Sequence, residues 1–246
     1  MIFSYYFLIS IIFFVTFSCQ KSEFEKLSNY DPFTETQDFT EWTSMGSGAS
    51  WSISSDGRDV SQSYHSWNNP VFLLSDTTYS DVLLEGTFLA TGDDDNIGFV
   101  FGYTNPSTAG DTNYDFYLYD WRGAGQTFSG HTAYEGHGLS KVYGSFTGGS
   151  DDILNYFFAR TNTGSTGKFY VMDTSVGSGT GWDINTTHTF KIYYTSSKIK
   201  VIIDGSTIFN VSGSYQSGKV GLYVYSQNAI NFSSLTLTTG FDPDSI

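Results

Sequence analysis

Residues 92–103 read GDDDNIGFVFGY. Over 97–103 the apolar pattern has the period of a β-strand, with Ile97, Phe99, Phe101 and Tyr103 on one side and Gly98, Val100 and Gly102 on the other. The bare glycines let another layer, or a ligand, come close to that second face. Just ahead of the strand, Asp93, Asp94 and Asp95 crowd three carboxylates together, and like charges so close must be solvated or neutralised by a cation. A buried strand is therefore entered through an acidic loop. What neutralises that loop is the functional question.

Composition extends the β reading to the whole chain. Aromatic residues make up 18% of the 246 positions, with 18 Tyr and 22 Phe, while 26 Gly and only 4 Pro supply turns. From residue 82 onward, strand-like runs recur between Gly, Ser, Asn and Asp clusters, at 82–90, 97–103, 114–121, 154–160, 168–173, 189–194, 199–204, 206–212, 219–226 and 230–238. That number of runs in one chain predicts an all-β, antiparallel two-sheet sandwich, with no major helix and no internal repeat. Two runs show their inward faces directly. Ile199, Val201 and Ile203 alternate with Lys200 before an Asp204-Gly205 hairpin signal, and Val220, Leu222 and Val224 oppose Tyr223 and Tyr225.

The charge narrows the partners. A net charge of −14, from 25 acidic against 11 basic residues, leaves no patch to neutralise a phosphate backbone, so nucleic acid is not an expected partner. Of the acids 19 are Asp and 6 Glu, and Asp is the residue of turns and calcium loops.

Residues 1–18 form an apolar run that turns abruptly polar after Cys19, and they read as an export signal too short to span a bilayer. Cys19 is the chain's single cysteine. Thr16-Phe17-Ser18-Cys19 loosely resembles a bacterial lipobox, which would lipidate Cys19 and anchor the protein at the cell surface as an outer-membrane lipoprotein; an ordinary signal peptide is the alternative. Residues 19–40 read as a tether, 41–240 as the sandwich and 241–246 as a tail. With one cysteine there is no disulfide framework.

The runs YSDVLLEGTF (79–88), DDDNIGFVFGY (93–103), FYLYDW (116–121), GWDINTTHTFKIYY (181–194) and SYQSGKVGLYVYSQNAINFSSL (214–235) together resemble the C-terminal domain of thrombospondins. The resemblance covers roughly residues 50–238. It implies a jelly-roll sandwich of the concanavalin A-like, L-type lectin kind, calcium binding, and an extracellular role in adhesion or matrix contact. Two departures qualify it. Residues 20–40 hold none of the family's upstream calcium repeats, and Asp115 and Asp120 make the 115–122 segment acidic where the family's is basic, so receptor contacts attributed to that segment are not carried over.

Three candidate chemistries follow. Asp93, Asp94 and Asp95, with Asn96 nearby, are candidate Ca²⁺ ligands, since calcium takes 6–8 oxygens; Asp94 and Asp95 lead. In 110–121, Asp115, Tyr117, Tyr119 and Trp121 fall on one strand face and, with Tyr103, form a candidate glycan-contact surface, because rings pack on sugar C–H faces while acids accept hydroxyls. The bland alternative for that face is sandwich core. His131, Glu135 and His137 lack the helix that would converge two imidazoles on zinc, and read as a surface loop. The function expected is a secreted or surface-anchored calcium-binding adhesion module contacting a glycan or an extracellular protein. The competing class is a carbohydrate-active enzyme, which needs two carboxylates converging in a cleft. Asp115 and Asp120 fall on opposite strand faces, so no catalytic residue is assigned.

Overall fold

In the computed structural model, residues 30–246 are described apart from 64, 66, 109–110 and 147–149. The expected export signal and Cys19 lie outside the described residues, among which no helix is long and apolar enough to cross a membrane.

Strands are numbered in chain order. The first sheet runs β15 (Ser206–Ser212), β14 (Lys198–Ile203), β13 (Thr187–Tyr194), β6 (Val82–Ala90), β17 (Ile230–Thr239), β4 (Asp59–Gln62), β3 (Trp51–Ile53), with β1 (Phe33–Thr36) paired to the far half of β17. The second runs β12 (Phe169–Val176), β11 (Gly136–Ser145), β8 (Asn113–Arg122), β7 (Asn96–Asn105), β16 (Gly218–Tyr225), β5 (Val71–Tyr79), β2 (Thr43–Met45). A small hairpin, β9 (Gln126–Phe128) and β10 (His131–Ala133), follows β8. The described pairings are antiparallel, and the two sheets make the expected sandwich.

The alternating runs face as their sequences predict. Ile199, Val201, Ile203, Val220, Leu222 and Val224 enter the core between the sheets, and Asp204 and Gly205 take the left-handed φ values of 48° and 76° that a tight hairpin needs. Strand β1 and the wholly buried Phe39 correct the tether reading: residues 33–39 belong to the sandwich.

Residues 154–160, read from sequence as a strand, are helical over 154–158 instead. A turn of α-helix at Ser150–Ile153 runs into a π-helical turn at Leu154–Phe158. A short apolar run has no periodicity long enough to separate strand from helix, and what decides here is where the run must lie. The outer face of the second sheet is itself apolar, carrying Phe72, Phe116, Leu118, Tyr223 and Tyr225, and the helical turns seal it with Leu154, Phe157 and Phe158. Phe157 centres this second core, its ring centroid 5.6 Å from Tyr114, 6.1 Å from Phe169 and 6.2 Å from both Tyr223 and Tyr225. The second sheet is thus buried on both faces.

That double burial explains the glycines of β7. Gly98 lies opposite Asp120 and Tyr223 in the ladder, and a Cβ there would stand 2.0 Å from the Tyr119 carbonyl oxygen. Gly102, at φ 54°, lies within a register shift that turns Tyr103 to the outer face. Strict alternation had put Tyr103 with Phe101; the left-handed glycine breaks the alternation.

Candidate functional site

The aspartate triplet closes the turn between β6 and β7 at one end of the sandwich. Asp93 takes a left-handed φ of 64°. The turn is pinned from two sides. Gln227, two residues past the end of β16, accepts the Asp95 backbone N–H at 2.8 Å on its amide oxygen and donates to the Gly92 carbonyl at 2.5 Å. The Asp94 carbonyl accepts the N–H groups of Gly123 and Ala124 at 3.0 and 3.1 Å. A crowd of carboxylates is thereby held in one shape by neutral backbone groups.

Each carboxylate has its own partner. Asp95 is 4% exposed and accepts from Arg122 Nη1 at 2.6 Å, while the fully buried guanidinium lies 4.6 Å over the Phe158 ring. Burial pushes the Asp95 carboxyl up and the Arg122 guanidinium down from their ordinary values, each shift opposed by the other's charge. Asp93 Oδ2 stands 2.6 Å from Nδ1 of the half-exposed His65, and Asp94 Oδ1 accepts from the Gln126 amide. Arg122, His65, Gln126 and Gln227 were not legible as site residues. Arg122 lies 27 positions from Asp95 and Gln227 lies 132 away, and only the ladder that sets Asn96 opposite Arg122 and Tyr225 brings them in.

A fit to calcium follows from these contacts. Arg122 already supplies the counter-charge of Asp95, so the triplet offers two carboxylates rather than three. Among the described residues no three of His, Cys, Asp and Glu gather as one metal cluster. Asp93 and Asp94 remain, a pair of adjacent carboxylates whose oxygens are of the kind calcium accepts, while the Gln126 amide nitrogen and the donors to the Gly92 and Asp94 carbonyls already occupy the rest of the turn.

Beside the turn is a cleft of about 250 Å³ lined by His65, Trp67, Asp93, Asp95, Gln126 and Phe128, with Thr127, Phe158 and Ser226 completing it. Its walls come from the segment before β5, the turn before β7, the β9–β10 hairpin, the helical turn and the end of β16.

The predicted aromatic surface is corrected. Tyr119 and Trp121 are 1% and 6% exposed and face the first sheet across the core, Tyr119 beside Phe99 and Trp121 against Phe88. Tyr103 is buried on the opposite face, its hydroxyl donating to the Pro106 carbonyl at 2.9 Å. Asp115 and Tyr117 lie at the far end of β8 in a closed cluster: Lys141 Nζ is 2.5 Å from Asp115 Oδ1 and 4.3 Å above the Tyr117 ring, which abuts Tyr215 edge-on at 5.1 Å. The five residues do not form one exposed face. His137 is also not in a surface loop. Its ring is buried, stacked on Trp121 at 4.5 Å, and its Nδ1 lies 2.9 Å from the Tyr119 hydroxyl.

Residues 47–239 match the family described as the thrombospondin C-terminal region. The chain belongs to that family. Thrombospondin-2 of Gallus gallus is 28% identical over 199 residues, which are 75% of this chain but 16% of that protein, so the likeness is to a small part of the relative. Among solved structures, a Bacillus subtilis protein of unknown function with a galectin-like fold superposes with a TM-score of 0.55 at 11% identity, covering 83% of this chain and 94% of that one. The exoplasmic/lumenal domain of VIP36, in its Ca²⁺- and mannose-bound form, superposes with a TM-score of 0.52 at 8% identity, covering 82% and 83%. At those identities the likeness establishes a lectin-like sandwich and nothing finer. The 218–227 stretch GKVGLYVYSQ has a physical reading here: its glycines let β16 approach its neighbours, a Cβ on Gly218 standing 2.3 Å from Gly102, and its Gln227 clamps the aspartate turn.

Proposed function

We propose that this protein is an extracellular or surface-anchored lectin-like binding module, not an enzyme, that holds calcium at Asp93 and Asp94 and contacts a glycan or an extracellular protein at that end of the sandwich. The observation that carries the reading is the preformed acidic turn, clamped by Gln227 and opening onto a cleft built from five chain segments. Calcium would neutralise the two carboxylates that Arg122 leaves uncompensated and tie the turn to the Gln126 hairpin. Membership of the thrombospondin C-terminal family and the calcium- and mannose-bound VIP36 form support the same assignment.

Thermal unfolding of the full chain, produced in an exporting host, tests it with excess calcium, magnesium or chelator. A ligand present at about 100 times its dissociation constant adds roughly 2.7 kcal/mol to the native state. Calcium raises the midpoint, magnesium does not, and Asp93→Asn/Asp94→Asn loses the gain; an unchanged midpoint in wild type refutes the metal assignment. Asp95 is left intact in the variant because its loss would strand Arg122.

A further inference from the structure

We infer that the cleft beside the aspartate turn is a binding site for one uncharged sugar ring, with Trp67 and Phe128 as its apolar wall. The inference rests on the binding-module reading above and names the ligand class of that same site. Trp67 and Phe128 come from segments 61 positions apart in sequence yet meet at the mouth of the cleft, ring centroids 5.5 Å apart. Each leaves more than a third of its surface in water, 37% and 41%. Water-exposed rings set together at a concave site are what a pyranose requires, because its C–H faces pack on aromatic rings.

Both walls are anchored. The Tyr225 hydroxyl donates to the Trp67 carbonyl at 2.8 Å, and Phe128 packs edge-on against Phe158 of the helical turn at 6.4 Å. An anchored wall binds without first having to be ordered. Polar residues that can match sugar hydroxyls stand beside it: Asp93, a carboxylate acceptor, and Gln126, an amide, are among the residues lining the cleft. A volume of about 250 Å³ lies below the usual span of small-molecule pockets, which suits a single ring better than an extended chain.

Charge sets the class of sugar. Among the described residues no Lys or Arg lines the cleft, His65 faces Asp93, and the nearby Arg122 is held by Asp95. Calcium, where bound, is matched by Asp93 and Asp94. Among the described residues no basic side chain lining the cleft is left for a sulfate or carboxylate, so neutral hexosides bind and sialylated or sulfated ones do not.

The test is saturation-transfer NMR and calorimetry on the full chain with the methyl glycosides of mannose, galactose and glucose and their disaccharides, set against sialyllactose and heparin disaccharide. The expected result is that at least one neutral probe binds, that Trp67→Ala and Phe128→Ala each weaken it tenfold or more, and that Tyr143→Ala, which removes a 59%-exposed ring elsewhere, leaves it unchanged. The inference is overturned if no neutral probe binds at millimolar concentration, if the acidic probes bind better, or if the two wall variants bind like wild type. Calcium-dependent unfolding measured on the same samples separates the two ideas. A calcium shift without sugar binding sinks the sugar cleft alone, whereas Trp67-dependent sugar binding without a calcium shift sinks the metal assignment alone.

Discussion

Acidification through the range where histidine ordinarily titrates should destabilise this protein by way of a single buried ring. His137 stands inside the sandwich, stacked on Trp121, with Nδ1 2.9 Å from the Tyr119 hydroxyl. The Tyr119 phenol, pushed far above its ordinary value by complete burial, keeps its proton, and its hydroxyl pairs with Nδ1 of a neutral imidazole. Burial first, then the Arg160 guanidinium and His188, lower the His137 pKa from 6.5 to about 4. Between those values the unfolded chain binds a proton that the folded chain refuses. Stability therefore falls as pH falls through that window, and this group contributes no pH dependence on either side of it. At about 1.4 kcal/mol per pH decade the loss by pH 4 is roughly 3 kcal/mol, a large share of a typical domain's stability. Urea unfolding of wild type and His137→Gln from about pH 7 to about pH 4 measures it. Asp115 and Asp204, whose pKa values are lowered chiefly by Lys141 and His188 hydrogen bonds against their burial, lose their contributions only at more acid pH. Asp95 and Asp120, raised by burial, act in the opposite sense. All four are shared by both proteins and cancel in the difference. Wild type should lose about 3 kcal/mol more than the variant across the window; parallel curves would refute a neutral, buried His137.

Two further substitutions probe the architecture around the cleft. Arg122→Met keeps the stem's packing on Phe158 but leaves the Asp95 carboxylate buried without its counter-charge, and should cost roughly 3–5 kcal/mol in urea unfolding, largely recovered by adding Asp95→Asn. Phe157→Ala should cost about 3–5 kcal/mol and speed amide exchange in the outer face of β16, because it empties the centre of the second core; exchange unchanged from wild type would show that the helical turn does not seal that face.

Much of the first sheet was readable from residues alone. Where a strand has one wet face, period-2 alternation names the buried side, and Ile199, Val201 and Ile203 with the Asp204-Gly205 hairpin needed nothing else. The acidic turn was readable for the same local reason, since three adjacent aspartates cannot enter a core unneutralised. The second sheet was different. Covered on both faces, β8 alternates between two cores, so Tyr117, Tyr119 and Trp121 carried no sign of which side they would face. The 154–160 run likewise became a helical cover because a bare apolar sheet face awaited it, a fact that exists only after the sheet forms.

Sequence by itself determined the all-β class, the alternating faces of the exposed strands, and the place of the aspartate turn, because each rests on neighbours within a few positions. Tertiary structure alone decided that Arg122 answers Asp95, that Gln227 clamps the turn, and that Trp67 and Phe128 meet across the cleft. Those contacts join residues tens of positions or more apart. Strand pairing chooses the partners there, and no local rule of spacing encodes which strands will pair.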